Sequence, residues 1–306
     1  MLRHLLTLED LSTEDIRRIF AIAADIKSKY LGGLREPILP GRTLALLFEK
    51  PSLRTRVSFE AGMAHLGGNT LYLGSDVGWG TREAPADFSR VLGGYVDAVV
   101  CRAKSHETVA TLARYSGCPV INGLTDRSHP CQALADLLTL DELVGDLAGR
   151  KLAFIGDANN VARSLAWGCA RLGMRFAIAA PRGYQFDAEF VQRLKNKVGG
   201  VKLSITHDAE EAVADATAVY TDVWASMGQE AEAEKRRRDF AAYQVNTRLM
   251  GKAPGDAYFL HCLPAHRGEE VTDEVIDGPR SVVLQQAKNR MHVQKGVLVW
   301  LLGPRV

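Results

Sequence analysis

Short apolar runs that alternate with helical segments limit the fold of this chain more than any other feature of its sequence. Runs such as Leu44–Phe48 lack a polar alternation, which is typical of strands buried on both faces. The alternation of such strands with helices indicates parallel sheets with crossover connections. The strands predicted in the first half of the chain are Thr43–Phe48, Thr70–Leu73, Ala98–Cys101 and Val120–Ile121.

A second series of predicted strands begins after Gly149. Its members are Lys151–Ile155, Phe176–Ala179, Leu203–Thr206, Ala218–Thr221 and Tyr258–Leu260. We therefore predict an α/β protein with two Rossmann-like domains, each with a central parallel sheet, joined by interdomain helices. The predicted boundaries are residues 1–140 for the first domain, 141–285 for the second, and 286–306 for a C-terminal helix that returns to the first.

The composition argues against several classes of protein. The 306 residues include 38 basic and 36 acidic side chains, so the net charge of +2 favours neither nucleic acid nor a membrane surface as a partner. No apolar stretch reaches the roughly 18 residues of a membrane span. The N-terminal region contains the acidic residues Glu9 and Asp10, and transit peptides contain few acidic residues, so we expect a cytoplasmic protein. The five cysteines form no C-x-x-C pair, which argues against a disulfide framework and a structural zinc site.

Residues 48–60 predict a phosphate-binding turn, because a strand end leads through a proline into the start of a helix. Backbone N–H groups at such a helix start attract anions. Ser52 and Thr55 add hydroxyl donors, and Arg54 and Arg56 add charged donors that suit a dianion. The alternative is that Ser52 only caps the helix and that both arginines are solvated.

A second motif, Ser128-His-Pro-Cys-Gln-Ala-Leu-Ala-Asp136, places His129 and Gln132 one helical turn apart. His129 can donate to a carbonyl oxygen, while the Gln132 amide both donates and accepts, so together they can hold a planar O=C–NH2 group. A capped helix with a partly buried histidine is the alternative interpretation.

These two motifs resemble the carbamoyl-phosphate elements of the aspartate and ornithine carbamoyltransferases. Asp222-Val-Trp-Ala-Ser-Met-Gly-Gln-Glu230 resembles the ornithine loop of that family, and His261-Cys-Leu-Pro264 resembles the H-C-L-P signature of its ornithine enzymes. The resemblance implies carbamoyl transfer from carbamoyl phosphate to the side-chain amine of L-ornithine, giving L-citrulline and phosphate. That reaction serves arginine biosynthesis or, in reverse, arginine degradation.

The resemblance also assigns roles to residues. It implies that residues 1–140 bind carbamoyl phosphate and that residues 141–285 bind L-ornithine. The implied carbamoyl-phosphate ligands are Ser52, Leu53, Arg54, Thr55, Arg102, His129, Gln132, Cys262, Leu263 and Arg290. The implied ornithine ligands are Asn160, Asp222, Ser226 and Met227, and the implied catalytic residues are Arg102, His129, Gln132, Asp222 and Cys262. The family also implies no metal, no organic cofactor, and a homotrimer or a multiple of trimers.

Other chemistries fit the residues less well. Covalent catalysis by Cys262 needs a paired base, and His261 beside it in a strand should face the opposite way. His261, Cys262 and His266 do not make a convincing tetrahedral zinc set. The turn at residues 156–160 follows a strand but lacks the G-x-G-x-x-G fingerprint of a dinucleotide site. The charge run at residues 230–239 is more typical of a solvated helix than of a nucleic-acid patch.

Two features depart from the family pattern in detail, although Ser226-Met-Gly-Gln and the His-Cys-Leu-Pro motif favour free ornithine as the acceptor. Leu53 stands where a hydroxyl residue is common, and residues 78–87 lack the glutamine that reaches a neighbouring subunit, so Thr81 or Arg82 is the candidate replacement. The Pro-Ser-Leu-Arg-Thr-Arg motif and a nearby tryptophan also resemble acylornithine carbamoyltransferases. The alternatives are therefore transfer to N-acylornithine or putrescine, and a non-catalytic amino-acid-binding protein.

Overall fold

The computed structural model describes residues 2–225 and 230–304, apart from the side chain of Glu230. The chain divides into two compact units, one of residues 1–138 with 289–306 and one of residues 139–288. Each unit is built on its own parallel sheet, so the predicted α/β fold with two sheets is confirmed. In the described part of the chain, no helix has the length and apolar character needed to cross a membrane.

Four parallel strands form the sheet of the first unit in the order β2-β1-β3-β4, counted over the described residues. The strands are β1 (Thr43–Phe48), β2 (Asn69–Leu73), β3 (Ala98–Arg102) and β4 (Val120–Leu124). The helices between and around them are α1 (Thr13–Leu31), α2 (Leu53–His65), α3 (Pro85–Tyr95), α4 (His106–Tyr115) and α5 (Pro130–Val144). The central strands β1 and β3 are almost wholly buried, which explains their continuous apolar sequences.

Helix α1 begins where local side chains satisfy its first N–H groups. The Ser12 side chain accepts a hydrogen bond from the Asp15 amide, and the Asp15 carboxylate accepts one from the Ser12 amide. This reciprocal pair is a capping box with aspartate in place of glutamate. The buried face of helix α1 carries Ile16, Ile19 and Phe20, as the apolar periodicity of the sequence indicates.

Five parallel strands form the sheet of the second unit in the order β7-β6-β5-β8-β9, again among the described residues. The strands are β5 (Lys151–Ile155), β6 (Arg175–Ala179), β7 (Lys202–Thr206), β8 (Ala218–Thr221) and β9 (Tyr258–His261). The remaining helices are α6 (Asn160–Arg171), α7 (Ala188–Lys197), α8 (Ala209–Val213), α9 (Ala233–Phe240), α10 (Thr247–Met250), α11 (Asp273–Ile276) and α12 (Val283–Leu302). Helices α5 and α12 each contribute residues to both units.

The strand order of each sheet marks where a ligand is expected. In an open parallel sheet, ligands bind beyond the carboxyl ends of the strands, at the point where the strand order reverses. The reversal lies between β1 and β3 in the first sheet and between β5 and β8 in the second. Ser52 follows β1 and Arg102 ends β3, whereas Asn159 follows β5 and Asp222 follows β8. The fold therefore brings the motif residues to the two reversal points.

Candidate active site

The candidate phosphate-binding residues of the first unit begin at the start of helix α2. Ser52 is the N-cap residue, and its hydroxyl accepts a hydrogen bond from the Thr55 amide at 3.4 Å. The first N–H groups of a helix have no partner inside it, so those of Leu53 and Arg54 are placed to bind an anion. The Leu53 side chain is 76% exposed and contributes only its backbone here.

The hydroxyl of Thr55 links two buried arginines. It accepts hydrogen bonds from Nη1 of Arg102 and from Nη2 of Arg290, each at 3.2 Å. Thr55, Arg102 and Arg290 are all at least nine-tenths buried. Since a hydroxyl accepts two hydrogen bonds and donates one, the Thr55 proton can still be donated to a bound oxyanion.

Gln132, on helix α5, contacts the arginine cluster, which consists of Arg54, Arg102 and Arg290. Its Oε1 accepts a hydrogen bond from Nη1 of Arg290, and its Nε2 donates to Oδ1 of Asp136 at 2.7 Å. Gln132 is 1% exposed and Asp136 is fully buried. The amide therefore lies between a cation and a carboxylate, and both ends of it are used.

Burial and neighbouring positive charges shift the pKa values of two residues in this part of the site. Burial, together with the charges of Arg290 and Arg54, lowers the pKa of Arg102 to about 10. Burial also holds the pKa of His129 well below its usual range, and the same positive charges act in that direction. Arg102 thus stays charged at neutral pH, while His129 is a neutral imidazole that can donate one hydrogen bond.

Arg56 lies apart from the arginine cluster. Its Nε donates to Glu60 at 2.9 Å, and its guanidinium lies 3.7 Å from the centroid of the Tyr72 ring. The sequence favoured Arg56 as a second phosphate ligand beside Arg54. The buried arginines that contact Thr55 are Arg102 on β3 and Arg290 on α12, both of which the family resemblance implied.

The candidate acceptor-binding residues of the second unit are centred on the carboxylate of Asp222. Its Oδ2 accepts a hydrogen bond from Nδ2 of Asn159 at 2.8 Å. Its Oδ1 accepts from the Cys262 thiol at 3.0 Å and from the Val223 amide at 2.8 Å. Asp222 is 8% exposed, so these neighbours fix a negative charge that is largely shielded from water.

Asn159, which the sequence analysis missed, is the asparagine that contacts Asp222. Its Oδ1 caps helix α6 by accepting from the amides of Val161 and Ala162. This leaves its Nδ2 for the carboxylate. Asn160, the predicted ligand, begins α6, and its backbone oxygen accepts from Ser164. The signal that could have identified Asn159 is its N-cap position after a buried strand.

Arg236 supports the segment that follows Asp222. Its Nη1 donates to Asp157 at 2.7 Å and to the backbone oxygen of Trp224 at 3.0 Å. Burial raises the pKa of Asp157, and the hydrogen bond from Arg236 opposes that rise. Ser226 and Met227, predicted to bind ornithine, lie outside the described residues. Arg236 therefore links Trp224 to Asp157, which lies in the turn that also carries Asn159.

The turn after β9 is organised by His261. The Leu263 amide donates to His261 Nδ1 at 2.9 Å, so the ring proton is on Nε2, which donates to Glu270 at 3.1 Å. Leu263 has a φ of +57° and precedes a cis bond to Pro264. Both nitrogens of His261 are therefore engaged away from the Cys262 thiol, whose partner is Asp222.

Among the residues that the structure describes, two groups of side chains have the spacing of metal ligands. Possible ligand atoms of Asp222, His261 and Cys262 lie within 4.8 Å of one another, as do those of His266, Glu269 and Glu270. His261 uses both ring nitrogens in hydrogen bonds, and metal binding would require it to give up one of them. The donor set of the first group thus suits an ammonium ligand better than a metal ion.

The fold and the two groups of side chains define an α/β protein with two parallel-sheet units, one of which offers cations to an oxyanion and the other a carboxylate to a cation. The family model for the carbamoyl-P binding domain of aspartate/ornithine carbamoyltransferases matches residues 3–142, and the model for the Asp/Orn binding domain matches residues 148–301. The chain belongs to this family.

Individual relatives and solved structures agree with the family models. The chain is 54% identical over 300 residues to an ornithine carbamoyltransferase of Anoxybacillus flavithermus, covering 97% of this chain and 96% of that protein. It is 53% identical over 303 residues to one of Bacillus subtilis, with 98% and 94% covered. The solved ornithine carbamoyltransferase of Pyrococcus furiosus has a TM-score of 0.96 and 49% identity, covering 99% of this chain and 98% of that one.

Proposed function

We propose that this protein is an ornithine carbamoyltransferase, which transfers the carbamoyl group of carbamoyl phosphate to the side-chain amine of L-ornithine. The products are L-citrulline and phosphate. The first unit binds carbamoyl phosphate, and the second unit binds the acceptor. Relatives that are 54% and 53% identical over nearly the whole chain are named ornithine carbamoyltransferase, which supports this proposal.

The observation that decides the acceptor is the carboxylate of Asp222 with its two partners, Asn159 and Cys262. A dicarboxylic acceptor such as aspartate needs cations for its extra carboxylate, whereas a diamino acid needs a carboxylate for an ammonium group. Asp222 supplies that carboxylate. The acceptor we infer is therefore L-ornithine rather than L-aspartate.

The arginine cluster accounts for the carbamoyl donor. Arg54, Arg102 and Arg290 match the charge of the phosphate, and the Thr55 hydroxyl adds a neutral donor. Attack of the amine on the carbamoyl carbon places negative charge on the carbamoyl oxygen. Donors from His129 and Arg102 fixed at that oxygen stabilise the transition state more than the ground state. Expulsion of phosphate from the tetrahedral intermediate then gives L-citrulline.

The test is a citrulline-forming assay with carbamoyl phosphate and four acceptors at equal concentration: L-ornithine, N-acetylornithine, putrescine and L-aspartate. We expect turnover with L-ornithine to exceed that with each other acceptor by about 10- to 100-fold, the size of one charged contact. Preference for another amine would overturn the acceptor. No turnover with any of them would favour a binding protein.

We propose that the protein assembles as a homotrimer or a multiple of trimers. Apolar side chains on α2 and on the edge strand β2 support this, since Leu53, Val57 and Leu71 are 76%, 50% and 48% exposed. A charge at this surface should oppose assembly. Light scattering of wild type should give a mass three times that of one chain, or a multiple of that mass, and Leu71→Asp should give a smaller one. A wild-type monomer would overturn the proposal.

Residues 78–87 are the segment that we propose reaches a neighbouring subunit. Arg82 is exposed and can supply the donor that other family members provide by glutamine. Arg82→Ala should raise KM for carbamoyl phosphate, and an unchanged KM would remove Arg82 from the site.

We further propose that the enzyme works in the cytoplasm and serves arginine biosynthesis or, in reverse, arginine degradation. The five cysteines, all of them among the described residues, form no disulfide bond and four are buried, as in a reducing compartment.

A further inference from the structure

Asp136 is a fully buried carboxylate one helical turn beyond Gln132 on α5. Residues four apart on a helix lie on one face, so the two side chains meet. Their hydrogen bond, from Gln132 Nε2 to Asp136 Oδ1, measures 2.7 Å. The sequence motif that contains Asp136 gave it no role.

The contact fixes which end of the Gln132 amide faces the arginine cluster. An amide turned by half a revolution would direct Oε1 at the Asp136 carboxylate and its NH2 group at the Arg290 guanidinium. Both contacts would then be repulsive, since two acceptors would meet at one end and two donors at the other. In the observed orientation both ends are satisfied, because Oε1 accepts from Arg290 and Nε2 donates to Asp136.

The orientation matters because a carbamoyl group is polar in two senses. Its oxygen needs donors, which His129 and the arginines supply, and its NH2 group needs an acceptor. Gln132 can serve as that acceptor only while its oxygen faces the cluster. A turned amide would bring a further donor to a place where the NH2 group needs an oxygen.

We propose that Asp136 is a positioning residue for carbamoyl transfer, which holds the Gln132 oxygen toward Arg290 and the carbamoyl NH2 group. The inference rests on the proposed function. Citrulline formation by the wild-type protein is measured first and is a condition of the experiment. A failure of the proposed function is therefore recognised separately from a failure of the inference about Asp136. Asp136 acts through Gln132 and does not itself touch the substrate.

The experiment exchanges the hydrogen-bonding roles of the two side chains. Gln132→Glu alone sets two carboxylates against each other, so it should lower kcat at neutral pH, with partial recovery at acidic pH where the pair can share a proton. Adding Asp136→Asn supplies an NH2 donor for the new glutamate, whose other oxygen still accepts from Arg290. The double variant should therefore exceed the Gln132→Glu variant in kcat by about tenfold at neutral pH.

Single variants at Asp136 complete the test. Asp136→Ala should lower kcat by about tenfold or more, while KM for L-ornithine stays within about twofold, because only the carbamoyl group loses its orientation. Asp136→Asn should retain most activity, since its oxygen can still accept from Gln132. Leu137→Ala, buried on the same helix, is the control: it should lower the melting temperature and leave kcat unchanged.

Two results would overturn the inference. One is a double variant no more active than Gln132→Glu alone, which would mean that the two side chains do not act as a pair. The other is unchanged kcat in Asp136→Asn together with unchanged kcat in Asp136→Ala. If the alanine variant does not fold, the double variant still decides, because it retains a hydrogen bond between the two positions.

Discussion

The Cys262 thiol donates a hydrogen bond to Oδ1 of Asp222 over 3.0 Å, so thiol and carboxylate form one pair at the end of neighbouring strands β8 and β9. A thiol that donates to a carboxylate is held as a neutral group. This arrangement favours a role for Cys262 in aligning the attacking amine over a role as a covalent nucleophile.

Replacement of Asp222 by asparagine should damage acceptor binding selectively. The change keeps the size of the side chain and removes the charge that pairs with an ammonium group. We expect KM for L-ornithine to rise by roughly 10- to 100-fold, the value of one charge-assisted hydrogen bond. Calorimetric titration should give unchanged affinity for carbamoyl phosphate. Glu189→Gln, an exposed acid on α7, is the matched control and should change neither value.

Replacement of Arg236 by glutamine should weaken ornithine binding from a distance. It leaves the partly buried Asp157 without its guanidinium partner and releases the backbone oxygen of Trp224. We expect a rise in KM for L-ornithine of about tenfold. The rise should shrink as pH falls, because protonation of Asp157 removes the uncompensated charge. Steady-state kinetics across pH would reveal this. Arg238→Gln, exposed on the same helix, should behave as wild type.

Lys295 predicts an unusual dependence of stability on pH. It is 1% exposed, its Nζ lies 4.7 Å from the centroid of the Tyr30 ring, and no carboxylate within residues 2–225 and 230–304 forms an ion pair with it. Burial, followed by the charge of Arg35, lowers its pKa to about 8. Between pH 8 and the ordinary lysine value only the unfolded chain holds this proton, so the contribution of Lys295 to stability rises with pH there.

Lys295→Met should therefore raise the free energy of unfolding at pH 7 by on the order of 2 kcal/mol. The gain should fall as pH rises above 8 and disappear near the pKa of an ordinary lysine. Urea unfolding at several pH values measures it. Lys202→Met, on an exposed strand position, is the control. A gain that does not change with pH would show that the effect comes from packing.

His129 predicts a loss of stability on the acid side. Burial, together with Arg290, Arg102 and Arg54, holds its pKa well below the usual value. Below about pH 6.5 the unfolded chain takes up a proton that the folded chain does not, at a cost of about 1.4 kcal/mol per pH unit. His129→Gln should reduce this slope between pH 5 and 6.5. Equal slopes in variant and wild type would contradict a neutral His129.

The central strands β1 and β3 were predictable because they are buried on both faces. Thr43–Phe48 has the predicted bounds, and Ala98–Cys101 is longer by one residue, Arg102. A continuous apolar run gives this signal without any knowledge of distant contacts. The capping box of Ser12 and Asp15 was predictable for a similar reason, since its partners are three residues apart.

The contacts of the site are less visible in the sequence. Arg290 and Gln132 are 158 residues apart, and only the family resemblance placed them together. The run at residues 230–239 predicted a solvated helix, and α9 is mostly exposed, but Arg236 is 6% exposed. Phe240, four residues later on the same buried face, was the available signal. The distant carboxylate that pairs with a buried charged side chain cannot be recognised from the local sequence.

The residues that we propose bind phosphate come from distant parts of the chain, and this limits the order in which the site can form on the ribosome. Thr55 and its partner Arg290 are 235 residues apart. At about 5–20 residues per second, roughly 10 to 50 s separate their synthesis. A nascent chain that already has its whole second unit still lacks the last arginine of the first. On this proposal, the chain can bind carbamoyl phosphate only after the second unit, which we propose binds the acceptor, has been translated.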